Sequence, residues 1–127
     1  MRSGRDIIAW ELEIKMSEHD EQYKLFSWTR YRPELRWMFA IPNGGVRDRI
    51  TAARMKQEGV KAGVWDVFLP MPSQGYNGLF IEMKYGKNRL TDEQKEFGDY
   101  VSKQGYCTAV AYSAEEAIEI IDDYLSL

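Results

Sequence analysis

Two acidic residues stand in otherwise apolar segments that are predicted to form neighbouring strands. Asp66 lies in the segment Gly-Val-Trp-Asp-Val-Phe-Leu, and Glu82 lies in the segment Leu-Phe-Ile-Glu-Met-Lys. Desolvating an unpaired carboxylate costs on the order of several kcal/mol, and two acids at one level of a sheet repel each other. A cation between the two acids would relieve both effects. Because the ligands are oxygens and no soft donor accompanies them, the pattern favours Mg²⁺ or Mn²⁺.

A lysine follows the second acid at a spacing that suits hydrolysis of a phosphate ester. Lys84 is two residues after Glu82, so on a strand both side chains leave the same face. Its ammonium group would orient a water molecule at the metal and offset the negative charge that a phosphate gains in the transition state. A plain surface ion pair between Glu82 and Lys84 is the simpler interpretation, because Glu-x-Lys is common. Asp66 on the preceding strand favours the catalytic one.

The elements around these residues alternate between strands and helices. Residues 10–16 alternate apolar and charged side chains, which is typical of a half-buried strand. Capping boxes at residues 17–20 and 91–94 predict helices that end near Thr29 and Gln104. Further strands are predicted at residues 37–41, 65–69, 79–83 and 106–112, and further helices at residues 47–57 and after Ser113. Because residues 106–112 carry no charge, we expect them to form a buried central strand.

This order predicts an α/β fold with a mixed sheet flanked by helices. The hairpin between residues 65–69 and 79–83 makes an antiparallel pair, and the crossover through the next helix makes a parallel one. The length of 127 residues fits one domain. We assign residues 1–16 to an N-terminal extension and residues 17–127 to that single domain.

Composition excludes several classes of site and of location. One cysteine and one histidine exclude a disulfide framework, a thiolate-rich zinc site and a histidine-rich metal site. No apolar run has the length of a membrane span, and acidic residues interrupt the N-terminal apolar residues, so no signal peptide is predicted. We therefore expect a soluble protein of the cytoplasm, with no membrane partner.

Charge is distributed unevenly along the chain, although the net charge is only −3. Residues 30–61 contain eight basic and three acidic side chains, whereas the chain after Ser113 contains five acidic and no basic ones. Such asymmetry focuses a positive field on one face, although ordinary solvated helix faces would also give it. The candidates for contacts with DNA, mainly through its phosphates, are Arg47, Arg49, Arg54, Lys61, Tyr85 and Arg89.

The ordered motifs resemble those of a nuclease family. The segment at residues 63–66, followed by Glu82-Met83-Lys84, resembles the PD-(D/E)XK nuclease motif. More closely, the chain is similar to the VRR-NUC (virus-type replication-repair nuclease) family, whose stand-alone members are small phage and bacterial proteins. The resemblance spans roughly residues 17–117 and includes Ser17-Glu18 with Gln22, Pro42-Asn43-Gly44-Gly45, residues 59–63, residues 90–94 and Gly105-Tyr106. Trp65 departs from the broader motif, which usually has proline there.

The resemblance implies a restriction-endonuclease-like fold and a role for each matching residue. Asp66 and Glu82 would hold the metal together with the main-chain carbonyl of Met83, and Lys84 would be the catalytic lysine. Two further residues match the pattern: Glu18 is the acid of the first helix and a less certain metal ligand, and Gln94 is the glutamine of the helix after the Glu-x-Lys strand. From the residues alone, Glu18 is equally a first-turn acid facing the helix dipole, and Gln94 the reciprocal residue of a capping box.

These observations predict a Mg²⁺- or Mn²⁺-dependent DNA endonuclease of replication or repair. By analogy with junction resolvases of similar fold, we expect a homodimer that makes paired cuts in branched DNA such as a four-way junction. Two alternatives stay open: a monomeric nuclease acting on flaps, ends or single strands, and a non-catalytic DNA-binding module of the same fold. Metal dependence separates the last from the others, and the number of subunits separates the first two.

Overall fold

The computed structural model describes residues 19–42 and 48–126 of the chain. The described part of the first helix, α1, covers residues 19–29. The elements that follow are a short 3₁₀ helix Pro33–Leu35, β1 Phe39–Ala40, α2 Arg49–Gln57, β2 Val67–Leu69, β3 Leu79–Met83, α3 Asp92–Lys103, β4 Cys107–Ala111 and α4 Ala114–Leu125. The predicted strand at residues 10–16 and the candidate residues Glu18 and Arg47 lie outside the described residues.

The four described strands form one mixed sheet in the order β1-β2-β3-β4. β2 pairs with β1 and with β3 in the antiparallel direction, and β3 pairs with β4 in the parallel direction. Helix α3 supplies the crossover that parallel strands require. The predicted α/β fold with a mixed sheet is therefore confirmed.

Two details of the predicted strands differ in the described part of the chain. β4 lies at the end of the described sheet, and its residues except Ala111 are only partly buried, so among the described strands it is an edge strand and not the predicted buried central one. It carries no charge because α3 and α4 both pack against it, and helices can cover an edge strand as well as a central one. In addition, β2 begins at Val67, so Asp66 lies just before the strand and not within it.

The helices begin where polar side chains satisfy their free backbone N–H groups. Thr91 and Gln94 form the predicted capping box of α3, and Ser113 caps α4. The carboxylate of Asp48 caps α2 by accepting the N–H of Thr51 at 2.8 Å. No helix in the described part of the chain is long and apolar enough to cross a membrane.

The two faces of the sheet are covered differently, and this decides where the polar side chains emerge. The main core joins one face to α1 and α4, and its fully buried members include Leu25, Val67, Leu69, Leu79, Ile81 and Ile121. On the α3 side, the ring of Phe80 meets that of Phe97 edge-on, with centroids 5.2 Å apart. Because side chains alternate along a strand, Glu82 shares the face of Phe80 and therefore emerges beside α3.

Candidate active site

Asp66 and Glu82 are interlocked through the backbone at one end of the β2–β3 pair. Glu82 is only 3% exposed, and its Oε1 accepts the N–H of Asp66 at 3.1 Å. In return, Asp66 Oδ2 accepts the N–H of Met83 at 3.0 Å. Each carboxylate is thus held by the segment that carries the other acid. The two acids predicted from the sequence lie together, as expected.

Burial and like charge make this pair of acids costly to keep ionised. The pKa of Glu82 is raised to about 7, first because burial disfavours its charged form and second because the Asp66 carboxylate repels it. Lys84 acts in the opposite direction through its charge and a hydrogen bond. The site therefore has an excess of negative charge that a bound cation would neutralise.

Lys84 and Gln94 complete the polar cluster around Glu82. The ammonium Nζ of Lys84 donates to Gln94 Oε1 at 2.7 Å and lies 3.4 Å from Glu82 Oε2. The amide Nε2 of Gln94 donates to the same Glu82 oxygen at 2.9 Å. The Glu82–Lys84 ion pair exists, but with side chains 4% and 12% exposed it is not a surface pair.

Gln94 closes the predicted capping box and also contacts the acid and the lysine of the cluster. Its Oε1 accepts the N–H of Thr91 at 2.9 Å, which closes the capping box of α3. The same oxygen accepts from Lys84, so a residue in the first turn of the helix also contacts the lysine. The N-terminus of α3 is thereby fixed to the candidate active site.

A cleft of about 320 Å³ opens at this cluster. It is lined by Glu21, Gln22, Asp66, Glu82, Met83, Lys84 and Asn88. Glu21 was missed by sequence reasoning, although its spacing of three from Glu18 in the predicted helix would have indicated it. Its Oε2 accepts the N–H of Ala114 at 2.6 Å, which ties α1 to the start of α4. No signal in the sequence indicated Asn88.

The donor atoms in the cleft suit a hard divalent cation. The carboxylates of Asp66, Glu82 and Glu21 line the cleft, and Met83, whose main-chain carbonyl is the predicted further ligand, lines it too. All of these groups offer oxygen, the ligand that Mg²⁺ and Mn²⁺ prefer. Within residues 19–42 and 48–126, no group of three histidine, cysteine or acidic side chains is arranged to hold a metal. A third carboxylate ligand is predicted from Glu18, which precedes the described part of α1.

The described residues among those predicted to contact DNA are not part of the cleft lining. Arg49 and Arg54 are exposed on α2, a helix in which no residue is buried. Lys61 is exposed after that helix, and beyond β3, Tyr85 is half-buried and Arg89 exposed. The structure thus brings Asp66, Glu82, Met83, Lys84 and Gln94 together, whereas the described basic candidates are exposed and do not line the cleft.

Comparison with known proteins places these features in a family. The sequence profile of the VRR-NUC domain matches residues 6–115. A solved structure described as a "VRR_NUC domain protein" is similar to this chain with a TM-score of 0.74 and 31% sequence identity, over 85% of this chain and 87% of that one. No curated protein matches the chain in sequence. The resemblance inferred from the motifs is confirmed, and the chain belongs to the VRR-NUC family of nucleases.

Proposed function

We propose that the chain is a DNA endonuclease that depends on Mg²⁺ or Mn²⁺ and hydrolyses phosphodiester bonds. The observation that carries the proposal is the interlocked pair Asp66 and Glu82 with Lys84 at their side, all lining one cleft. Placing two carboxylates beside a half-buried lysine costs folding free energy, and burial and the repulsion from Asp66 raise the pKa of Glu82 to about 7. Shifted pKa values of this kind are typical of functional sites. A family of nucleases supplies the reaction class.

The residues of the cleft divide the work among them. Asp66, Glu82 and the carbonyl oxygen of Met83 would hold the cation. When bound, the cation would supply positive charge to the phosphate and its attacking oxygen. Lys84 positions the attacking water and offsets the charge that develops on the phosphate. Gln94 holds the ammonium of Lys84 at 2.7 Å, so that this group is oriented before the substrate arrives.

Helix α2 would hold the DNA backbone. Its nine residues include Arg49, Arg54 and Lys56 and no acid, and none of them is buried. The helix lies in the sequence between β1 and the segment of Asp66, and Ile41, directly after β1, donates its N–H to the Asp66 carbonyl at 2.7 Å. Exposed arginines on a helix that precedes the segment of Asp66 suit contacts with DNA phosphates. Such contacts position a duplex without reading its sequence.

We extend the proposal to a homodimer that cuts branched DNA, such as a four-way junction. One cleft hydrolyses one strand, so paired cuts across a branch require two copies. In the sequence, Trp10, Leu12, Ile14 and Met16 alternate with charged residues and offer an apolar face that a second subunit would cover.

A cleavage assay tests the function directly. The purified protein is incubated with duplex, flap, splayed and four-way junction DNA in Mg²⁺, in Mn²⁺ and in EDTA. We expect cleavage only with a divalent cation, and none by Asp66→Ala or Glu82→Ala. Asp99→Ala is the matched control, since Asp99 is an exposed acid farther along α3. Cleavage in EDTA would exclude metal dependence, and full activity of Asp66→Ala would exclude the site.

A further inference from the structure

Trp65 joins the segment of Asp66 to the start of α3, although it has no role in the proposed mechanism. The residue directly precedes Asp66 and is only 3% exposed. Its indole Nε1–H donates a hydrogen bond of 2.8 Å to the main-chain carbonyl of Gln94. This is a directed contact between the chain segment that carries one acid and the residue whose side chain holds Lys84.

Gln94, which accepts this hydrogen bond, is also held through its side chain. The Gln94 side chain spans Lys84 and Glu82, with bonds of 2.7 Å and 2.9 Å. A shift of the Gln94 main chain by a few tenths of an ångström would therefore stretch or misalign one of these two bonds. The hydrogen bond from the indole N–H holds the main chain of Gln94 at the position from which its side chain reaches both Lys84 and Glu82.

Two glycines allow α3 to approach this closely. A Cβ atom on Gly98, one turn after Gln94, would lie 2.7 Å from Cζ2 of the Trp65 ring. A Cβ atom on Gly63 would lie 2.6 Å from the carbonyl oxygen of Glu93, and the φ of +91° at Gly63 also favours glycine. The N-terminal half of α3 is thus seated on residues 63–65 without intervening side chains.

We propose that Trp65 is a positioning residue of the nuclease site. Through its hydrogen bond it sets the position of the Gln94 main chain, and thereby the contacts of the Gln94 side chain with Glu82 and Lys84. The inference rests on the proposed function, and it concerns a position where the sequence departs from the broader nuclease motif. Trp65 touches neither the substrate nor the reacting atoms in this scheme. It orients the groups that do.

The test replaces the indole while keeping an aromatic ring. Trp65→Phe removes the N–H donor, and Trp37→Phe, at an exposed tryptophan, is the matched control. For Trp65→Phe we expect kcat to fall roughly 10- to 100-fold, with KM changed less than about twofold, because misplacement of catalytic groups slows turnover more than binding. In a double-mutant cycle, Trp65→Phe should add no loss to Gln94→Ala. Additive losses, or an unchanged kcat, would overturn the proposal.

A second measurement needs neither metal nor substrate. The ¹H–¹⁵N signals of the Gln94 side-chain amide, assigned by their loss in Gln94→Ala, should move in Trp65→Phe and stay in place in Trp37→Phe. Unmoved Gln94 signals in Trp65→Phe would contradict the positioning role. If the wild-type protein cleaves no DNA, the proposed function fails, whereas this measurement still tests the contact.

Gly98→Ala keeps the experiment decisive if Trp65→Phe does not fold. Because alanine favours a helix more than glycine does, the substitution does not weaken α3 itself. Any effect then comes from the contact of the added Cβ with the Trp65 ring. We expect it to move the Gln94 amide signals and to lower kcat. A folded Gly98→Ala protein with the wild-type signals and kcat would refute the inference.

Discussion

Glu82 accepts the backbone N–H of Asp66 at 3.1 Å, and the segment of Glu82 returns a hydrogen bond to the Asp66 side chain through Met83 at 3.0 Å. Each of the two acids is therefore held by a backbone N–H of the segment that carries the other. This arrangement keeps the Asp66 carboxylate close enough to repel the buried carboxylate of Glu82, at a free-energy cost that depends on charge. Several measurable consequences for stability and activity come from that cost.

Asp66→Asn should stabilise the metal-free protein. The asparagine oxygen still accepts the Met83 N–H, while the repulsion of Glu82 disappears. Relief of one like charge is worth roughly 1 kcal/mol, about the value of one pKa unit. Thermal unfolding in EDTA measures this gain, and adding Mn²⁺ should raise the melting temperature of the wild type more than that of the variant. A variant less stable than the wild type in EDTA would show that the acids do not repel each other.

The stability of the metal-free protein should fall as the pH rises from about 4.5 to about 7. Glu82 has a pKa of about 7 in the folded protein against an ordinary value of 4.5, so between these values the folded state binds a proton that the unfolded state lacks. The free energy of unfolding then decreases with pH across this window and loses this dependence above it.

Urea denaturation in EDTA at several pH values measures the effect. Glu82→Gln removes the titrating group, so the difference in slope between the wild type and this variant isolates the contribution of Glu82. Equal slopes in the two proteins would contradict the raised pKa.

Lys84→Ala should abolish most turnover without removing metal binding. The lysine holds no cation in the proposed mechanism, and removal of one group that positions water costs roughly 10²–10⁴-fold in rate. Titration calorimetry with Mn²⁺ compares the variant with the wild type, and Lys87→Ala, at an exposed lysine nearby, is the control. Loss of Mn²⁺ affinity together with activity would mean that Lys84 shapes the metal site instead of acting on the water.

Much of the site was predictable because it depends on local patterns. Strand alternation placed Glu82 and Lys84 on one face, and the Thr91–Gln94 capping box located the start of α3. The contact of Trp65 with Gln94 was not predictable, since it joins residues 29 positions apart through a side chain and a carbonyl. The same limit explains the prediction for β4, because an uncharged strand does not reveal whether helices or strands cover it.

The basic helix should contribute to DNA affinity in proportion to its phosphate contacts. Arg49→Ala and Arg54→Ala should each weaken binding similarly for all DNA sequences, because such contacts carry no sequence information. Each should also reduce the slope of log K against log salt by about 1, the effect of one lost contact. Fluorescence anisotropy at several salt concentrations gives both quantities. Lys103→Ala, in the last turn of α3, serves as the control, and a slope equal to that of the wild type would remove α2 from the interface.

If the protein is a homodimer, its mass in solution and the DNA structures that it cuts should change together. Light scattering at micromolar concentration should give twice the chain mass of 14.8 kDa. Replacing Leu12 and Ile14 with serine should lower that mass to one chain, because the apolar face predicted at residues 10–16 would lose the area that a subunit contact requires. The same variant should still cut flaps and single strands one at a time, but lose the paired cuts in a four-way junction, since these need two clefts on one substrate. A wild-type protein of single-chain mass would remove the paired-cut mechanism and leave a monomeric nuclease of flaps or single strands, with the same residues in the cleft.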